Sequence, residues 1–146
     1  MVLVTQRIVN MDYTRLSKQL LYHEGIRLKP YRCSADKLTI GIGRNIEDVG
    51  ITEEEAFYLL NNDIKKVVEQ CQRNFKWFDG LNDLRKEAIV NLVFNMGFGK
   101  FLQFKKTIKH IENEEFELAG AELLDSRYAQ QVGQRAIDVA NQLADK

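Results

Sequence analysis

The spacing of apolar residues predicts that most of this chain is helical. Between Tyr13 and Leu20 the apolar positions recur with the helical period, and the stretch is bounded by Asp12, a suitable N-cap, and Gly25, a suitable stop. We therefore expect a first helix here, with Glu24 in its last turn.

From Pro30 to Asn45 the pattern changes. This stretch is rich in β-branched and aromatic residues, contains two closely spaced glycines and has a polar turn candidate at Ser34–Lys37. It predicts a small hairpin or sheet in which Cys33 and Thr39 flank the turn.

Helical periodicity then dominates the rest of the chain. Thr52-x-x-Glu55 is a capping box, and the apolar residues that follow it as far as Cys71 predict a helix of about five turns. A second apolar helix is expected from about 82 to 96, with Gly97 as its stop. Further helical stretches are expected at Leu102–Asn113, Glu114–Leu124 and Gln134–Ala144.

Together these elements predict one α+β domain over residues 13–146, preceded by an N-terminal extension at residues 1–12. Within the domain we expect a small N-terminal lobe (about 13–51), a long connecting helix (about 52–73) and a larger helical C-terminal lobe (about 74–146). A chain of this length buries a core without disulfides or metals. A cleft between two lobes suits an extended polymer.

The charge balance excludes some classes of partner. The chain has 21 Lys and Arg and 21 Asp and Glu, so no overall field draws nucleic acid or an anionic membrane to it. It contains no apolar run of about 18 residues of the kind that spans a bilayer. Polar residues interrupt the apolar start Met1–Val4 before a signal-peptide core forms. We expect synthesis in the cytoplasm, no nucleic-acid binding and no stable membrane insertion.

The cysteines and histidines predict neither a disulfide framework nor a metal site. Cys33 and Cys71 are far apart, and Cys71 fits the apolar face of a helix. His23 and His110 are isolated from other ligands at metal spacing. We expect no metal and no cofactor.

Glu24, Cys33 and Thr39 form the array Glu-x8-Cys-x5-Thr, which is the candidate catalytic set. Cleavage of a glycosidic bond needs an acid that protonates the leaving oxygen and, on the opposite sugar face, a group that stabilises positive charge or directs water. A carboxyl group, a sulfur and a hydroxyl group are able to supply those functions. A helix C-terminus suits the acid, because the negative end of the helix dipole favours a protonated carboxyl group.

Several longer runs of residues in both predicted lobes follow one another in the same order, and at the same distances along the chain, as in a known family. They are Glu24–Tyr31, Thr39–Gly43, Arg85–Gly97, Phe104, Ser126–Arg127 and Arg135. In these runs the chain resembles the T-even phage lysozyme family, the muramidases with which phages open bacterial murein. The resemblance extends over about residues 13 to 145.

The resemblance implies a lysozyme-like α+β fold and endolysin-type muramidase activity. Glu24 is then the general acid, Cys33 takes a position often held by aspartate, and Thr39 positions the attacking water. The expected reaction is inverting hydrolysis of the β-1,4 bond between N-acetylmuramic acid and N-acetylglucosamine in the glycan strands of peptidoglycan. The expected enzyme is a monomer that reaches the periplasmic cell wall after a separate holin has opened the membrane.

Cys33 is the difference from the family pattern that most affects the chemistry. A thiol with its ordinary pKa of about 8.5 is mostly neutral at pH 7. Either the charges of Arg32 and Lys37 favour the thiolate, or activity rises with pH. A covalent thioglycoside on the sulfur is the alternative to direct attack by water.

The resemblance also implies substrate-binding residues along a groove. They are Asn45, Phe94, Asn95, Phe104, Thr107 and Arg135. For Phe94 and Phe104, packing in the core is the competing interpretation, since both fit the apolar pattern. Arg135 matches an arginine that pairs with the catalytic glutamate, and a solvated surface arginine is its competing interpretation.

Two other functions compete with the enzyme. The first is a catalytically weak murein-binding or structural module that keeps the fold after its second catalytic position has changed to Cys33. The second, a helical nucleic-acid binder, has little support in a chain of zero net charge without a basic recognition helix.

Overall fold

The computed structural model describes residues 9–145 of the chain. It divides the chain into two compact units, Met1–Glu55 and Ala56–Lys146. The expected extension at residues 1–12 falls partly outside the described residues, and the expected lobe boundaries stay predictions.

The first unit contains a helix followed by a small sheet and a short helix. Its elements are α1 (Tyr13–Glu24), β1 (Arg27–Arg32), β2 (Leu38–Gly41), β3 (Arg44–Asn45) and α2 (Ile46–Val49). The predicted N-cap and stop of α1 are both confirmed. The Asp12 side chain accepts a hydrogen bond from the Arg15 amide at 2.9 Å, and the Gly25 amide donates to the carbonyl of Leu21 at 2.8 Å.

The sheet is antiparallel, with the strand order β1-β2-β3. Thr39 occupies the middle strand, opposite Tyr31 on one side and Asn45 on the other. The register is irregular between Arg27 and Tyr31, and this stretch contains Pro30, which has no amide proton for a ladder hydrogen bond. The predicted hairpin is therefore confirmed, and its first strand begins earlier than the sequence pattern indicated.

Helices make up the rest of the structure, and α3 (Glu53–Asn74) crosses the boundary between the units. The predicted capping box at the start of α3 is confirmed. The Thr52 amide donates to Glu55 Oε1 at 2.9 Å, and the Glu55 amide donates to Thr52 Oγ1 at 3.1 Å. After a 3₁₀ turn at Phe78–Gly80 come α4 (Asp83–Met96), α5 (Phe98–Phe101), α6 (Lys105–Glu112), α7 (Phe116–Leu124), α8 (Arg127–Val132) and α9 (Gln134–Ala144).

The second unit holds the apolar core of the described residues. The core is built from side chains of α3 to α9, among them Cys71, Phe78, Ile89, Leu92, Phe101, Ile111, Leu123, Val139 and Leu143. Removal of a leucine or isoleucine side chain from water contributes about 1.5–3 kcal/mol. Helices α7 and α9 approach closely where Gly120 faces the Ala140 carbonyl, since a Cβ at residue 120 would lie 2.8 Å from that oxygen.

The mostly helical architecture with a small N-terminal sheet confirms the predicted α+β class. The helix expected at Leu102–Asn113 was wrong in one respect, because a turn at Leu102–Phe104 separates α5 from α6. In this turn the amides of Gln103 and Phe104 donate to carbonyls three residues back. The apolar spacing continues through the turn, so periodicity alone does not reveal it.

Candidate active site

Glu24 is the last residue of α1 and is exposed to solvent. This is the helix-end position that the sequence predicted. The chain turns at Gly25, whose φ of +72° is in the region that favours glycine. The carboxyl group of Glu24 therefore projects from a helix C-terminus just before β1 begins.

Gly43 supports the Glu24 side chain from the turn between β2 and β3. A Cβ at residue 43 would lie 2.7 Å from Glu24 Oε2 and 3.0 Å from its carboxyl carbon. Only a residue without a side chain leaves room for the carboxyl group in this position. Gly41, in the same motif, also has a positive φ, but a Cβ there would meet no atom within 4 Å.

Cys33 begins the turn that joins β1 to β2 and is partly exposed. Its amide donates to the Lys37 carbonyl at 3.0 Å, and its carbonyl accepts from the Asp36 amide at 2.8 Å. The pKa of its thiol lies below the ordinary value. Hydrogen bonding from the Lys37 backbone is the largest cause, followed by the Thr39 side chain and the Ala35 backbone, while desolvation opposes them. The turn thus favours a thiolate at this position.

Thr39 lies beside Cys33 in this arrangement and is 3% exposed. Its hydroxyl donates to the Lys37 carbonyl at 2.8 Å. A hydroxyl carries a single proton, so donation to this carbonyl and donation to a thiolate are alternatives. Ionisation of Cys33 therefore places the sulfur in competition with the carbonyl for the same proton.

The side chains of Arg32 and Lys37 are engaged in ion pairs, which corrects the expectation that their charges favour the thiolate. Arg32 Nη1 lies 3.3 Å from Glu47 Oε1, and Lys37 Nζ lies 3.5 Å from Glu47 Oε2 and 3.3 Å from Asp48 Oδ1. Carboxylates at this distance offset both positive charges. The Lys37 contribution to the lowered pKa of Cys33 comes from its backbone.

Asn45, expected to bind sugar, caps the helix α2. Its Oδ1 accepts from the Asp48 amide at 3.1 Å, and its Nδ2 donates to Asp48 Oδ2 at 2.9 Å. The oxygen and one N–H of the Asn45 amide group are thus engaged with Asp48.

In the second unit, Asn95 and Phe104 come together at Tyr128. The Tyr128 hydroxyl donates to Asn95 Oδ1 at 2.6 Å, and its ring meets that of Phe104 edge to face at 6.1 Å. Burial raises the pKa of Tyr128, and the positive charge of Arg135 opposes that rise. Because Asn95 Oδ1 accepts the tyrosine proton, the two Nδ2 protons stay free to meet carbonyl groups of a ligand.

The other predicted groove residues of this unit differ in exposure. Phe94 is 45% exposed on α4, whereas Thr107 on α6 is 1% exposed and Phe104 is half-buried against the core. Phe94 and Arg135 line a cavity of about 420 Å³. The other lining residues, most of them apolar, are Leu60, Ile64, Val68, Phe78, Lys86, Glu87, Val90 and Asn91. The expected pairing of Arg135 with Glu24 joins residues of different units and stays a prediction.

Comparison with known proteins finds one family whose profile spans the candidate residues of both units. A family profile described as "Phage lysozyme" matches residues 22–141. This chain belongs to the phage lysozyme family. Membership makes it a lysozyme, a glycoside hydrolase, and confirms the resemblance noted in its sequence.

Named relatives of this phage lysozyme come from a phage and from an amoeba. An "Endolysin" of Acyrthosiphon pisum secondary endosymbiont phage 1 is 34% identical over 117 residues, covering 77% of each chain. "Probable T4-type lysozyme 1" of Dictyostelium discoideum is 27% identical over 150 residues, covering 83% of this chain and 88% of the relative.

Three residues of this phage lysozyme that contact candidate residues or their chain neighbours escaped sequence reasoning in different ways. Gly43 belongs to the Thr39–Gly43 run that carries the resemblance. Its position two residues after Gly41 was the available sequence signal. Tyr128 directly follows the recognised Ser126–Arg127 pair. Glu47 carried no signal, since an exposed glutamate in a short helix is unremarkable until its partners are known.

Residues 9–145 contain no group of three or more His, Cys, Asp or Glu side chains that could hold a metal ion. Over the same residues, every helix is too short or too polar to cross a membrane. Burial raises the pKa of Cys71 to about 11, so this second thiol stays protonated and inert.

Replacing Thr39 with valine keeps the shape of the side chain and removes its hydroxyl. Because the Thr39 side chain lowers the pKa of the Cys33 thiol, that pKa should rise and the fraction of thiolate at pH 7 should fall. The measurement is the rate of Cys33 alkylation by iodoacetamide against pH, followed by peptide mass spectrometry. Its midpoint should lie at higher pH in Thr39→Val.

Cys71 in the same molecules is the internal control, since burial keeps its pKa high. A midpoint that stays in place or moves to lower pH in Thr39→Val would show that the hydroxyl does not stabilise the thiolate.

Proposed function

We propose that this phage lysozyme is an endolysin-type muramidase. It hydrolyses the β-1,4 bond between N-acetylmuramic acid and N-acetylglucosamine in bacterial peptidoglycan. Glu24 is the general acid, Cys33 as thiolate is the general base, and Thr39 positions the attacking water. The glycan strands of peptidoglycan are its substrate, a monomer is the active form, and a separate holin gives it access to the periplasm.

The environment of Cys33 is the observation that carries the proposal. At neutral pH an ordinary thiol is a poor base because most of it is protonated. Here the backbone of Lys37, the hydroxyl of Thr39 and the backbone of Ala35 lower its pKa, and its side chain is partly exposed. A partly exposed thiol with a lowered pKa supports a chemical role over a packing role.

The proposed reaction uses these groups on opposite faces of the sugar. Glu24 protonates the glycosidic oxygen as the bond from that oxygen to the anomeric carbon breaks. A water molecule forms the new bond to the anomeric carbon and gives its proton to the Cys33 thiolate. Attack from the face opposite the leaving group inverts the configuration. Loss of the thiol proton to solvent and uptake of a proton by the Glu24 carboxylate then restore the enzyme.

The partners of Thr39 support its role in positioning water. Its hydroxyl proton is donated to the Lys37 carbonyl, or to the Cys33 sulfur once that sulfur is ionised. In both cases the oxygen lone pairs are what Thr39 can offer to a water molecule. A water molecule that donates a hydrogen bond to the Thr39 oxygen keeps a lone pair available to attack the anomeric carbon. The low exposure of Thr39, 3%, fits contact with one small molecule and not with a sugar ring.

The second unit supplies the proposed binding residues. The Nδ2 group of Asn95 is free to donate to N-acetyl or peptide carbonyls, since Tyr128 fixes the other end of the amide. Phe94, at 45% exposure, offers an apolar surface to a sugar ring. Arg135 is proposed to bind anionic groups of murein or to pair with Glu24.

Replacing Glu24 with glutamine should remove the general acid and leave the shape of the side chain intact. Clearing of a turbid suspension of outer-membrane-permeabilised Gram-negative cells should fall by about 100-fold or more. Glu69→Gln is the matched control, since Glu69 is an exposed glutamate of α3. Undiminished clearing by Glu24→Gln would remove Glu24 from the mechanism, and a protein that binds murein without clearing would favour the weak-binding alternative.

Cys33 can be tested by comparing serine and aspartate at the same position. A serine hydroxyl is too weakly acidic to serve as the base, so Cys33→Ser should lose about 100-fold or more of the activity across pH 5 to 9. A carboxylate is ionised at lower pH than a thiol, so Cys33→Asp should stay active and its rising pH limb should move to lower pH. Equal profiles for Cys33→Ser and the unaltered enzyme would refute the thiolate mechanism.

The close contact between Gly43 and the Glu24 carboxylate can be tested with a pair of glycine variants. Gly43 and Gly41 have φ values of +68° and +73°, so alanine strains the backbone at both. Only the alanine at residue 43 also meets the Glu24 carboxylate, which is the end of a flexible side chain and moves aside at little cost in stability. Gly43→Ala should therefore match Gly41→Ala in melting temperature and fall about tenfold below it in clearing rate.

Equal clearing rates for the two variants would show that Gly43 does not hold Glu24 in a productive position.

A further inference from the structure

Glu47 connects the two ends of the turn that carries Cys33. Arg32 is the last residue of β1, and Lys37 immediately precedes β2. One carboxylate oxygen of Glu47 lies 3.3 Å from Arg32 Nη1 and the other lies 3.5 Å from Lys37 Nζ. A single side chain thus bridges the residues on either side of the turn.

Backbone and side-chain contacts of α2 hold Glu47 in place for this contact. Glu47 lies on α2, which directly follows β3, and β3 pairs with β2 in the same sheet. Asn45 caps the start of α2, and at its end the Gly50 amide donates to Ile46 while Arg44 Nη1 donates to the Gly50 carbonyl at 3.2 Å. Both ends of this short helix are therefore fixed against the sheet.

Further contacts of the same side chains tie the turn to α2. Arg32 Nη1 also donates to the Asp36 carbonyl at 3.3 Å, within the turn itself. Lys37 Nζ also lies 3.3 Å from Asp48 Oδ1. The charged groups around Cys33 therefore form one connected set, and Glu47 is the member that touches both cations.

We propose that Glu47 is a positioning residue for Cys33, because its carboxylate joins Arg32 to Lys37 and so fixes the turn whose backbone faces the sulfur. The inference rests on the proposed role of Cys33 in the reaction. Single exposed ion pairs contribute little to the stability of a fold. The effect here is local: the bridge holds the Lys37 backbone, the group that most favours the thiolate.

A purely electrostatic role for Glu47 predicts the opposite sign. Without its carboxylate, Arg32 is left with Asp36 and Lys37 with Asp48 as their remaining acidic partners. More uncompensated positive charge near the sulfur would favour the thiolate. A positioning role predicts less thiolate instead, because the turn loosens and its backbone groups no longer face the sulfur steadily.

The experiment measures alkylation of Cys33 by iodoacetamide against pH in Glu47→Gln and Glu47→Asp. Aspartate keeps the charge but is too short to bridge both cations, so it separates geometry from charge. In both variants, iodoacetamide should alkylate Cys33 about two- to fourfold more slowly at pH 7. The midpoint of the alkylation rate should lie at higher pH, and the melting temperature should change little. The rising pH limb of murein clearing should move in the same direction.

Glu54→Gln is the control, since it removes one exposed carboxylate from the first turn of α3. High salt should slow Cys33 alkylation in the unaltered enzyme, because it screens the bridge, and should have less effect on Glu47→Gln. Faster alkylation in Glu47→Gln, or no change in Glu47→Asp, would overturn the positioning role. Alkylation does not depend on murein hydrolysis, so this result is separate from failure of the proposed function in Glu24→Gln.

Discussion

The structure of the candidate site depends on one constraint, the closure of the chain between Cys33 and Lys37. The amide of Cys33 donates to the Lys37 carbonyl, and this same carbonyl accepts the proton of the Thr39 hydroxyl. One carbonyl thus holds both the backbone of Cys33 and the hydroxyl of Thr39. Backbone atoms are a durable basis for this geometry, since their positions do not depend on the rotamers of long side chains.

The two units are stabilised in different ways. The second unit buries a continuous apolar core. Among residues 9–55 of the first unit, by contrast, Thr39 alone is buried. The small sheet of the first unit relies on ladder hydrogen bonds, helix caps and ion pairs, such as that between Arg44 Nη2 and Glu55 Oε2 at 2.7 Å. The candidate catalytic groups therefore lie on the part of the molecule with the least apolar burial, which is typical of segments that can move locally.

The sequence predicts the elements of this fold where a local rule is strong. Asp12 and Gly25 bound α1 as expected, and the Thr52–Glu55 capping box opens α3. It does not predict the short helices α5 and α8, because one or two turns contain too few apolar positions to define a period. The roles of the candidate residues followed from a resemblance, whereas the contacts that hold the surrounding turn and Asn95 did not. The contacts of Glu47 and of Tyr128 join residues distant in sequence, and a single sequence carries no record of such pairs.

The lowered pKa of Cys33 matters because acid–base hydrolysis needs two opposite protonation states at once. An ordinary glutamic acid ionises near pH 4.3 and an ordinary thiol near pH 8.5, so between these values the acid lacks its proton and the base keeps one. The active form is then a minor species whose fraction falls about tenfold for each unit that separates the two pKa values. Aspartate at the second position avoids this problem, since a carboxylate is already ionised. A cysteine there supports catalysis only if its surroundings narrow the gap from the thiol side, and the backbone of the Cys33–Lys37 turn acts in that direction.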